Sequence, residues 1–389
     1  MSPITIIGSG LAAYTVAREF RKLNKESPLR IITNDDGCFY SKPMLSNAFK
    51  ENKTPESLVI TPANKMVTQL NAEILTHTEV TEIKPQAHSI ACGDKSLEYS
   101  QLVLALGAEQ IRLPLAGNAV DKIFSINDLN DYTQFRAALK NAKRVAIMGA
   151  GFIGCEFAND LQVAGFEVTL IDPLQYALGR LVPKKVAMVL QNALQTLGVN
   201  LDFEKAVNRV DNTADNKAYQ LSLSDGSLLE TDIVLSAVGL RPRITMAKSA
   251  GLSINKGIVV NRYLKTTNED IYALGDCAEV EGLVLPFVMP LMNSARAIAK
   301  SLAGELTAVN YPAMPVAVKT PACPTVICLS TNINDGEWEI EGEGQNLRAL
   351  LYSSKGELSG FILTGTKITE KMALAKKLPP MLPLSTTKS

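Results

Sequence analysis

Two glycine-rich hexamers carry the clearest chemistry in this sequence of 389 residues: GSGLAA at residues 8–13 and GAGFIG at residues 149–154. In such a hexamer the first glycine allows a tight turn and the second lets the backbone approach a pyrophosphate. The third position must be small so that a helix can pack on a strand. Free N–H groups and the positive dipole end at the start of that helix bind phosphate oxygens. Each hexamer is therefore a candidate dinucleotide-phosphate site.

The segments around the hexamers have the hydrophobic pattern needed to position them. Residues 4–7 predict a buried parallel strand, the residues up to about Leu23 a helix, and residues 29–33 a second strand. The same pattern surrounds the second hexamer, from a strand at residues 145–148 to a strand at residues 168–171. The sequence therefore predicts two strand-helix-strand units.

An acidic residue follows the second strand of each unit, where it would meet a ribose. Asp172 is placed to accept hydrogen bonds from ribose hydroxyls and to repel a 2′-phosphate, which favours NADH over NADPH. Arg180, downstream, has the opposite charge and weakens that argument. In the first unit either Asp35 or Asp36 could bind the ribose, or be a solvated turn residue.

A third motif indicates which nucleotide the first unit binds. Residues 266–276 read TTNEDIYALGD, a short strand that ends in Gly275-Asp276. Flavoproteins with two dinucleotide sites use this pattern to place an aspartate on the ribityl chain of FAD. Because it follows two dinucleotide turns, an ordinary Gly-Asp turn is the weaker interpretation. The sequence predicts FAD in the first unit and NADH in the second.

Composition excludes several other functions. Lys plus Arg and Asp plus Glu both number 39, so bulk charge does not favour binding to nucleic acid or to an anionic membrane. No apolar stretch approaches the roughly 18 to 20 residues of a membrane span. Because the N-terminal residues run directly into the first strand without a basic leader, we expect no export signal and a cytoplasmic location.

Histidine and cysteine usage limits metal and thiol chemistry. The two histidines, His77 and His88, are too few for a multi-histidine metal site, and we expect no metal. Cys323 and Cys328 could form a redox pair, but packed thiols in a strand are the favoured interpretation. Cys38 is either a packing residue or a single redox-active cysteine.

Together these motifs resemble the FAD-dependent pyridine-nucleotide reductases built on the glutathione-reductase plan. Residues 102–108 (LVLALGA) are similar to the strand that closes the first FAD segment, and residues 235–242 (LSAVGLRP) to the return into the FAD domain. The resemblance implies an α/β fold with two Rossmann-like dinucleotide-binding domains and a small C-terminal α+β domain. In that fold an inserted NAD domain splits the FAD domain.

The implied domain boundaries are residues 1–110 and 243–310 for the FAD-binding domain, 111–242 for the NAD-binding domain, and 311–389 for the C-terminal domain. Within the last, the sequence predicts strands at residues 338–341, 347–352 and 358–363 and a helix near residues 369–378. In this family that domain covers the flavin.

Further motifs indicate which electron acceptor, among those used in this family, the chain serves. Disulfide reductases of this plan carry a CxxxxC in the FAD domain and a C-terminal histidine, and both are absent here. Residues 40–46 (YSKPMLS) instead resemble the segment of reductases that pass electrons from NADH through FAD to small one-electron iron proteins. The same resemblance extends to residues 151–161 (GFIGCEFANDL), 236–243 (SAVGLRPR) and 318–324 (VKTPACP). It implies rubredoxin, an acidic iron protein, as a transient partner. Two other electron acceptors stay open, a ferredoxin and a flavorubredoxin of a nitric oxide reductase system. A different function also stays open, an NADH-sensing role like that of apoptosis-inducing factor.

The same resemblance implies a charged pair at the flavin. Many relatives have a lysine after L-S that pairs with a glutamate, but here Asn47 follows. Glu156 would then pair with Lys319, whose cation would stabilise the reduced flavin; a solvated loop lysine is the alternative. We expect a monomer or a weak dimer. The candidate catalytic residues are Lys319 and Glu156, and the candidate cofactor-binding residues are Gly8, Ser9, Gly10, Leu11, Ala12, Ala13, Thr33, Asn34, Asp35, Lys42, Pro43, Val80, Ala105, Gly107, Gly149, Gly151, Phe152, Ile153, Gly154, Asp172, Gly239, Gly275, Asp276, Val288 and Lys319.

Overall fold

A computed structural model describes residues 2–179, 181–330 and 336–382. Within these ranges the strands are β1 Ile4–Ile7, β2 Leu29–Ile32, β3 Phe39–Tyr40, β4 Val59–Thr61, β5 Glu73–Leu75, β6 Glu82–Lys84, β7 Ser89–Cys92, β8 Lys95–Glu98, β9 Gln101–Leu104, β10 Ala108–Gln110, β11 Arg144–Met148, β12 Glu167–Asp172, β13 Asn200–Phe203, β14 Val207–Asn212, β15 Tyr219–Leu223, β16 Leu228–Thr231, β17 Ile233–Ser236, β18 Leu240–Pro242, β19 Ile258–Val260, β20 Ile271–Ala273, β21 Ala278–Val280, β22 Val316–Val318, β23 Thr325–Leu329, β24 Glu337–Glu343, β25 Asn346–Tyr352 and β26 Leu358–Thr364. The α-helices are α1 Leu11–Leu23, α2 Pro55–Leu58, α3 Ala63–Leu70, α4 Leu129–Leu139, α5 Phe152–Val163, α6 Lys184–Leu197, α7 Thr245–Ser249, α8 Val288–Leu302 and α9 Lys371–Ala375. Short 3₁₀ helices are found at Lys42–Asn47, Pro85–Ala87, Val120–Lys122, Gly275–Cys277 and Gly365–Glu370.

The first nucleotide unit is a parallel sheet in the order β20-β9-β1-β2-β5. Its central strands are apolar on both faces, as expected for a strand covered by helices on both sides. Ile6, Ile31 and Val103 are fully buried, and α1 and α8 pack together over the sheet. Because β20 pairs with β9, residues after position 243 complete a sheet that starts at residue 4. This confirms that the first unit is split in sequence.

The second unit lies between the two parts of the first. Its parallel sheet has the order β13-β12-β11-β17, and an antiparallel sheet of β14, β15 and β16 lies beside it. The strands β10 and β18, at the two connections between the units, pair antiparallel, with Ala108 opposite Pro242. The residue boundaries at 110 and 242 stay a prediction.

The C-terminal unit is an antiparallel sheet in the order β22-β23-β26-β25-β24. The predicted helix near residues 369–378 is partly wrong, because the segment begins as a 3₁₀ helix and α9 is short. Its threonines explain the difference, since the Thr369 hydroxyl donates to the Thr366 carbonyl at 3.0 Å and competes with regular helix hydrogen bonds. Leu374 and Leu378 still pack on this sheet.

One hydrophobic cluster joins all three units. Leu45 and Phe49 from the first unit, Phe157 from α5, and Val318 and Ile327 from the C-terminal unit belong to it. The segment at residues 42–50 is therefore fixed against α5 and the C-terminal sheet. No helix in the described ranges is long and apolar enough to cross a membrane.

Candidate functional site

A cleft of about 2110 Å³ lies where the three units meet. Both hexamers open into it, and residues 314–317 and Lys319 of the C-terminal segment form part of its wall. Most of the candidate residues line this cleft. Three are not among its lining residues: Ala13, which is fully buried, Gly154 and Gly275. Their part in cofactor binding stays a prediction.

The first hexamer has the backbone that a phosphate turn requires. Gly8 has a φ of +118°, and a Cβ added there would lie 2.4 Å from the Ala105 carbonyl oxygen. Gly10 caps α1, and a Cβ at that position would meet nothing within 4 Å. Gly8 is thus required by close packing, whereas Gly10 leaves open space in front of the first N–H groups of the helix.

The acids of the first unit differ in their contacts. Asp35 accepts a hydrogen bond from Ser9 Oγ at 2.8 Å and one from Gly37 N at 2.9 Å. Asp36 accepts from Cys38 N at 2.9 Å. Both line the cleft, but only Asp35 is tied to the hexamer itself. That contact favours Asp35 as the ribose ligand, which stays a prediction.

The second hexamer repeats this geometry. Gly149 has a φ of +101°, and a Cβ there would lie 2.7 Å from the Ala237 carbonyl oxygen, whereas one at Gly151 would meet open space. A Cβ at Gly154 would lie 1.8 Å from the Gly149 carbonyl oxygen, so this glycine serves close packing. The Asp172 carboxylate closes the turn by accepting from Ala150 N at 2.6 Å and Leu174 N at 2.8 Å. Arg180, the residue that argued against NADH, lies outside the described residues.

A half-buried acid, Asp276, and a half-buried base, Lys42, lie near each other in the cleft. Within the described residues Asp276 makes no hydrogen bond with its side chain, and burial raises the pKa of its carboxyl while nearby Lys42 lowers it. Burial in turn lowers the pKa of Lys42, whose ammonium donates to Asn127 Oδ1. Asn127 is held in place by donating to the Ala108 carbonyl at 2.9 Å. A half-buried carboxylate with no hydrogen-bond donor among the described residues is suited to a ligand that donates hydrogen bonds.

The Glu156 and Lys319 side chains form an ion pair. Glu156 is 4% exposed, and it accepts from the Lys319 backbone N–H at 2.9 Å as well as from its ammonium. The ammonium also donates to the Pro43 carbonyl at 2.7 Å and to Ser46 Oγ at 2.9 Å. Lys319 is therefore not a solvated loop lysine, and its cation is held at the wall of the cleft. Its role toward a flavin stays a prediction.

The cysteines are unsuited to thiolate chemistry. Cys323 and Cys328 are buried and free, and burial raises the pKa of both thiols, that of Cys328 to about 12. Burial also raises the pKa of Cys38, with further contributions from a hydrogen bond to Asp36 and its charge. All three thiols are protonated at neutral pH and hence weak nucleophiles. In the part of the chain that the structure describes, no cluster of three His, Cys, Asp or Glu side chains is arranged to hold a metal.

Sequence reasoning missed several residues of the cleft. Asn127, Arg243 and Phe287 line it, and Ser46 binds the ammonium of Lys319. The Phe287 ring meets Phe152 edge to face, with centroids 6.4 Å apart. Ser46 and Arg243 lie within the quoted motifs YSKPMLS and SAVGLRPR, but neither was counted as a site residue. Asn127 and Phe287 belong to no such motif, because packing between distant segments brings them to the cleft.

These features fit two dinucleotides. Each hexamer combines a glycine that no larger residue could replace with a glycine that leaves its helix N-terminus open. The carboxylates of Asp35, Asp172 and Asp276 line the same cleft, and their role as acceptors for ribose and ribityl hydroxyls stays a prediction. Bound FAD and NADH would be held by these groups.

Comparison with known proteins agrees with this geometry. Residues 2–299 match the family model described as pyridine nucleotide-disulphide oxidoreductase, and residues 308–378 match the model described as rubredoxin binding C-terminal domain. The chain belongs to the pyridine nucleotide-disulphide oxidoreductase family.

Among its relatives, a rubredoxin-NAD(+) reductase of Alcanivorax borkumensis is 49% identical, the alignment covering 98% of this chain and 100% of the relative. A nitric oxide reductase FlRd-NAD(+) reductase of Vibrio vulnificus is 35% identical, over 97% of this chain and 98% of the relative. Among solved structures, putidaredoxin reductase in its covalent complex with putidaredoxin superposes with a TM-score of 0.87 at 25% identity. That match covers 97% of this chain and 94% of the other.

Proposed function

We propose that this chain is an NADH-dependent flavoprotein reductase that passes electrons from NADH through FAD to rubredoxin. One observation carries the proposal. Two dinucleotide turns open into a single cleft, and part of the cleft wall, residues 314–317 and Lys319, lies in the segment that matches the rubredoxin-binding model. A donor nucleotide, a flavin and an acceptor-binding unit thus meet at one place.

FAD is the resident cofactor and NADH the electron donor. We assign FAD to residues 1–110 and 243–310, NADH to residues 111–242, and the cover of the site to residues 311–389. When bound, FAD would accept a hydride from NADH and release electrons one at a time to an iron centre. The residues of the chain bind and orient the two nucleotides and tune the flavin, and they form no covalent bond during the reaction.

The NADH side is built on α5 and β12. The N–H groups at the start of α5 bind the pyrophosphate, which the open space at Gly151 admits. Asp172, held by two backbone N–H groups, offers its outer lone pairs to the ribose hydroxyls and repels a 2′-phosphate. The aromatic pair Phe152 and Phe287 gives this part of the cleft an apolar wall.

The FAD side is built on residues of both its sequence segments. Asp276 accepts hydrogen bonds from ribityl hydroxyls, and the nearby ammonium of Lys42 compensates its charge. Lys319 holds a positive charge at the cleft wall through Glu156, Ser46 and the Pro43 carbonyl. A fixed charge costs no reorganisation when electrons arrive.

A flavorubredoxin is the second candidate acceptor, because a relative with that activity in its name is 35% identical over nearly the whole chain. The higher identity to a rubredoxin-NAD(+) reductase favours rubredoxin. A signalling flavoprotein of the apoptosis-inducing-factor type would instead show slow flavin reduction. A cytoplasmic location and a monomeric or weakly dimeric state stay predictions.

The proposal is tested by NADH-driven turnover, measured side by side with rubredoxin, a ferredoxin, a flavorubredoxin and a disulfide substrate. Rubredoxin should give the highest kcat/KM. A higher value with another acceptor would replace rubredoxin by that acceptor. Slow flavin reduction by NADH with every acceptor would contradict the reductase itself.

A further inference from the structure

The helix α5 carries a buried polar face that the binding of NADH does not use. Glu156, Asn159 and Asp160 are spaced as i, i+3 and i+4, which places them on one side of the helix. They are 4%, 1% and 0% exposed. Buried polar groups are retained when they are hydrogen-bonded, so their partners indicate what this face does.

The partners are backbone groups of the two other units. Asp160 accepts from Phe49 N at 2.8 Å and Lys50 N at 3.3 Å. Asn159 accepts from Ala322 N at 3.0 Å. Since Glu156 accepts from the Lys319 N–H, this single helix holds the segment at residues 42–50 and the segment at residues 319–322.

Those two segments together place the Lys319 ammonium. An ammonium has three N–H donors, and here Glu156, the Pro43 carbonyl and Ser46 Oγ accept all three. Two of these acceptors belong to residues 42–50, the segment that Asp160 holds by consecutive N–H groups. The location of the charge therefore depends on a carboxylate that does not itself touch Lys319.

We infer that Asp160 is a positioning residue of the reductase, which fixes residues 42–50 and thereby the Lys319 charge relative to the NADH site at the start of the same helix. The inference rests on the proposed function. Because α5 begins at Phe152, directly after Gly151, and holds both segments one to two turns further along, the donor nucleotide and the ammonium share one rigid element. Small displacements of such elements slow a reaction without touching the reacting atoms.

The test is the variant Asp160→Asn, which keeps the size of the side chain but turns one N–H acceptor into a donor. The rate of flavin reduction by NADH should fall about ten- to a hundredfold, while the dissociation constant of NADH changes by less than about twofold. The midpoint potential of the flavin should become lower, because a cation that moves away no longer stabilises the reduced form. In the FAD-free protein the amides of Phe49 and Lys50 should exchange hydrogen faster.

The matched control is Asp232→Asn. Asp232 also accepts from two consecutive N–H groups, Lys143 N at 2.8 Å and Arg144 N at 2.9 Å, but within the second unit. It should leave the flavin potential and the exchange of Phe49 and Lys50 unchanged. Equal effects of both variants would overturn the inference, as would a wild-type reduction rate and potential in FAD-bound Asp160→Asn.

If Asp160→Asn does not retain FAD, Ser46→Ala replaces it as the test. This variant removes one acceptor of the ammonium, and it should lower the potential in the same way; an unchanged potential would overturn the inference. Where both variants bind FAD, their effects on the potential should be less than additive in the double variant. All these measurements omit the acceptor, so a failure of rubredoxin turnover would contradict the proposed function and leave this inference standing.

Discussion

At the scale of single residues, Asp276 is a carboxylate that needs a ligand to supply its hydrogen-bond donors. Asp276 is deep in the cleft wall without a hydrogen-bond donor among the described side chains, and burial raises the pKa of its carboxyl. A carboxyl pKa that folding raises contributes stability below the ordinary pKa, and this contribution is lost as pH rises through the folded value. We therefore expect the ionised carboxylate of Asp276 to destabilise the FAD-free chain at neutral pH.

The variant Asp276→Ala should therefore have opposite effects on FAD affinity and on the stability of the FAD-free protein. FAD affinity should fall roughly 10- to 100-fold, since charge-assisted hydrogen bonds to the ribityl chain are lost. The FAD-free variant should be more stable than wild type at pH 7, and this difference should disappear below about pH 3, where the carboxyl is protonated in both states. Flavin absorbance per protein and thermal unfolding at the two pH values measure these effects. Normal flavin content would exclude the ribityl role.

A second residue-scale prediction concerns nucleotide choice. Wild type should prefer NADH to NADPH, and Asp172→Ala should lower the ratio of the two kcat/KM values roughly tenfold, because a charge facing the 2′-phosphate is removed. Asp172→Asn is the control for the turn, since its amide oxygen still accepts the Leu174 N–H. An unaltered ratio in both variants would move the selectivity elsewhere, with Arg180 the first residue to examine.

The thiols give a third residue-scale prediction. Because burial keeps Cys38, Cys323 and Cys328 protonated, electrons should leave the flavin directly. The triple variant Cys38→Ser, Cys323→Ala, Cys328→Ala should keep NADH-to-rubredoxin turnover within about twofold of wild type. Flavin content and thermal unfolding serve as controls for folding. Loss of turnover with FAD still bound would revive a thiol mechanism.

At the scale of elements, the two glycines of one turn should respond differently to the same substitution. Gly149→Ala combines a positive φ with a backbone clash and should destabilise the protein by about 1–3 kcal/mol. Gly151→Ala meets open space and should fold normally, yet its methyl group fills the path of the pyrophosphate and should weaken NADH binding roughly tenfold. Denaturant unfolding and NADH titration measure the two effects. The reverse pattern would contradict the phosphate turn.

Elements were predictable where their signals are local. The runs Ile4–Ile7 and Arg144–Met148, each followed by a glycine with positive φ, define their strands and turns without knowledge of the rest of the chain. Asn127 and Phe287 carry no such signal, because their roles arise when loops from different units meet. Glu156 and Lys319 were paired from family resemblance, whereas the contacts of Asp160 follow from packing that no spacing rule describes.

At the scale of the whole molecule, zero formal charge leaves docking to local charge on the surface. We expect the face that meets an acidic iron protein to be basic, so raising ionic strength should slow rubredoxin turnover several-fold below saturation. Reduction of ferricyanide by NADH should barely change, because a small oxidant does not need a docked complex. Salt-independent rubredoxin turnover would count against electrostatic guidance.

The split sheet of the first unit also determines the order in which the chain matures during synthesis. The second sheet is complete in sequence once β17 ends at Ser236, but the first lacks its outer strand until the ribosome has passed Ala273. Until then β9 is an unpaired edge, a state that favours wrong pairing in a nascent chain. Asp276 emerges later still. We therefore expect the second sheet to fold on the ribosome before the first, so that FAD joins a molecule whose second sheet has already formed.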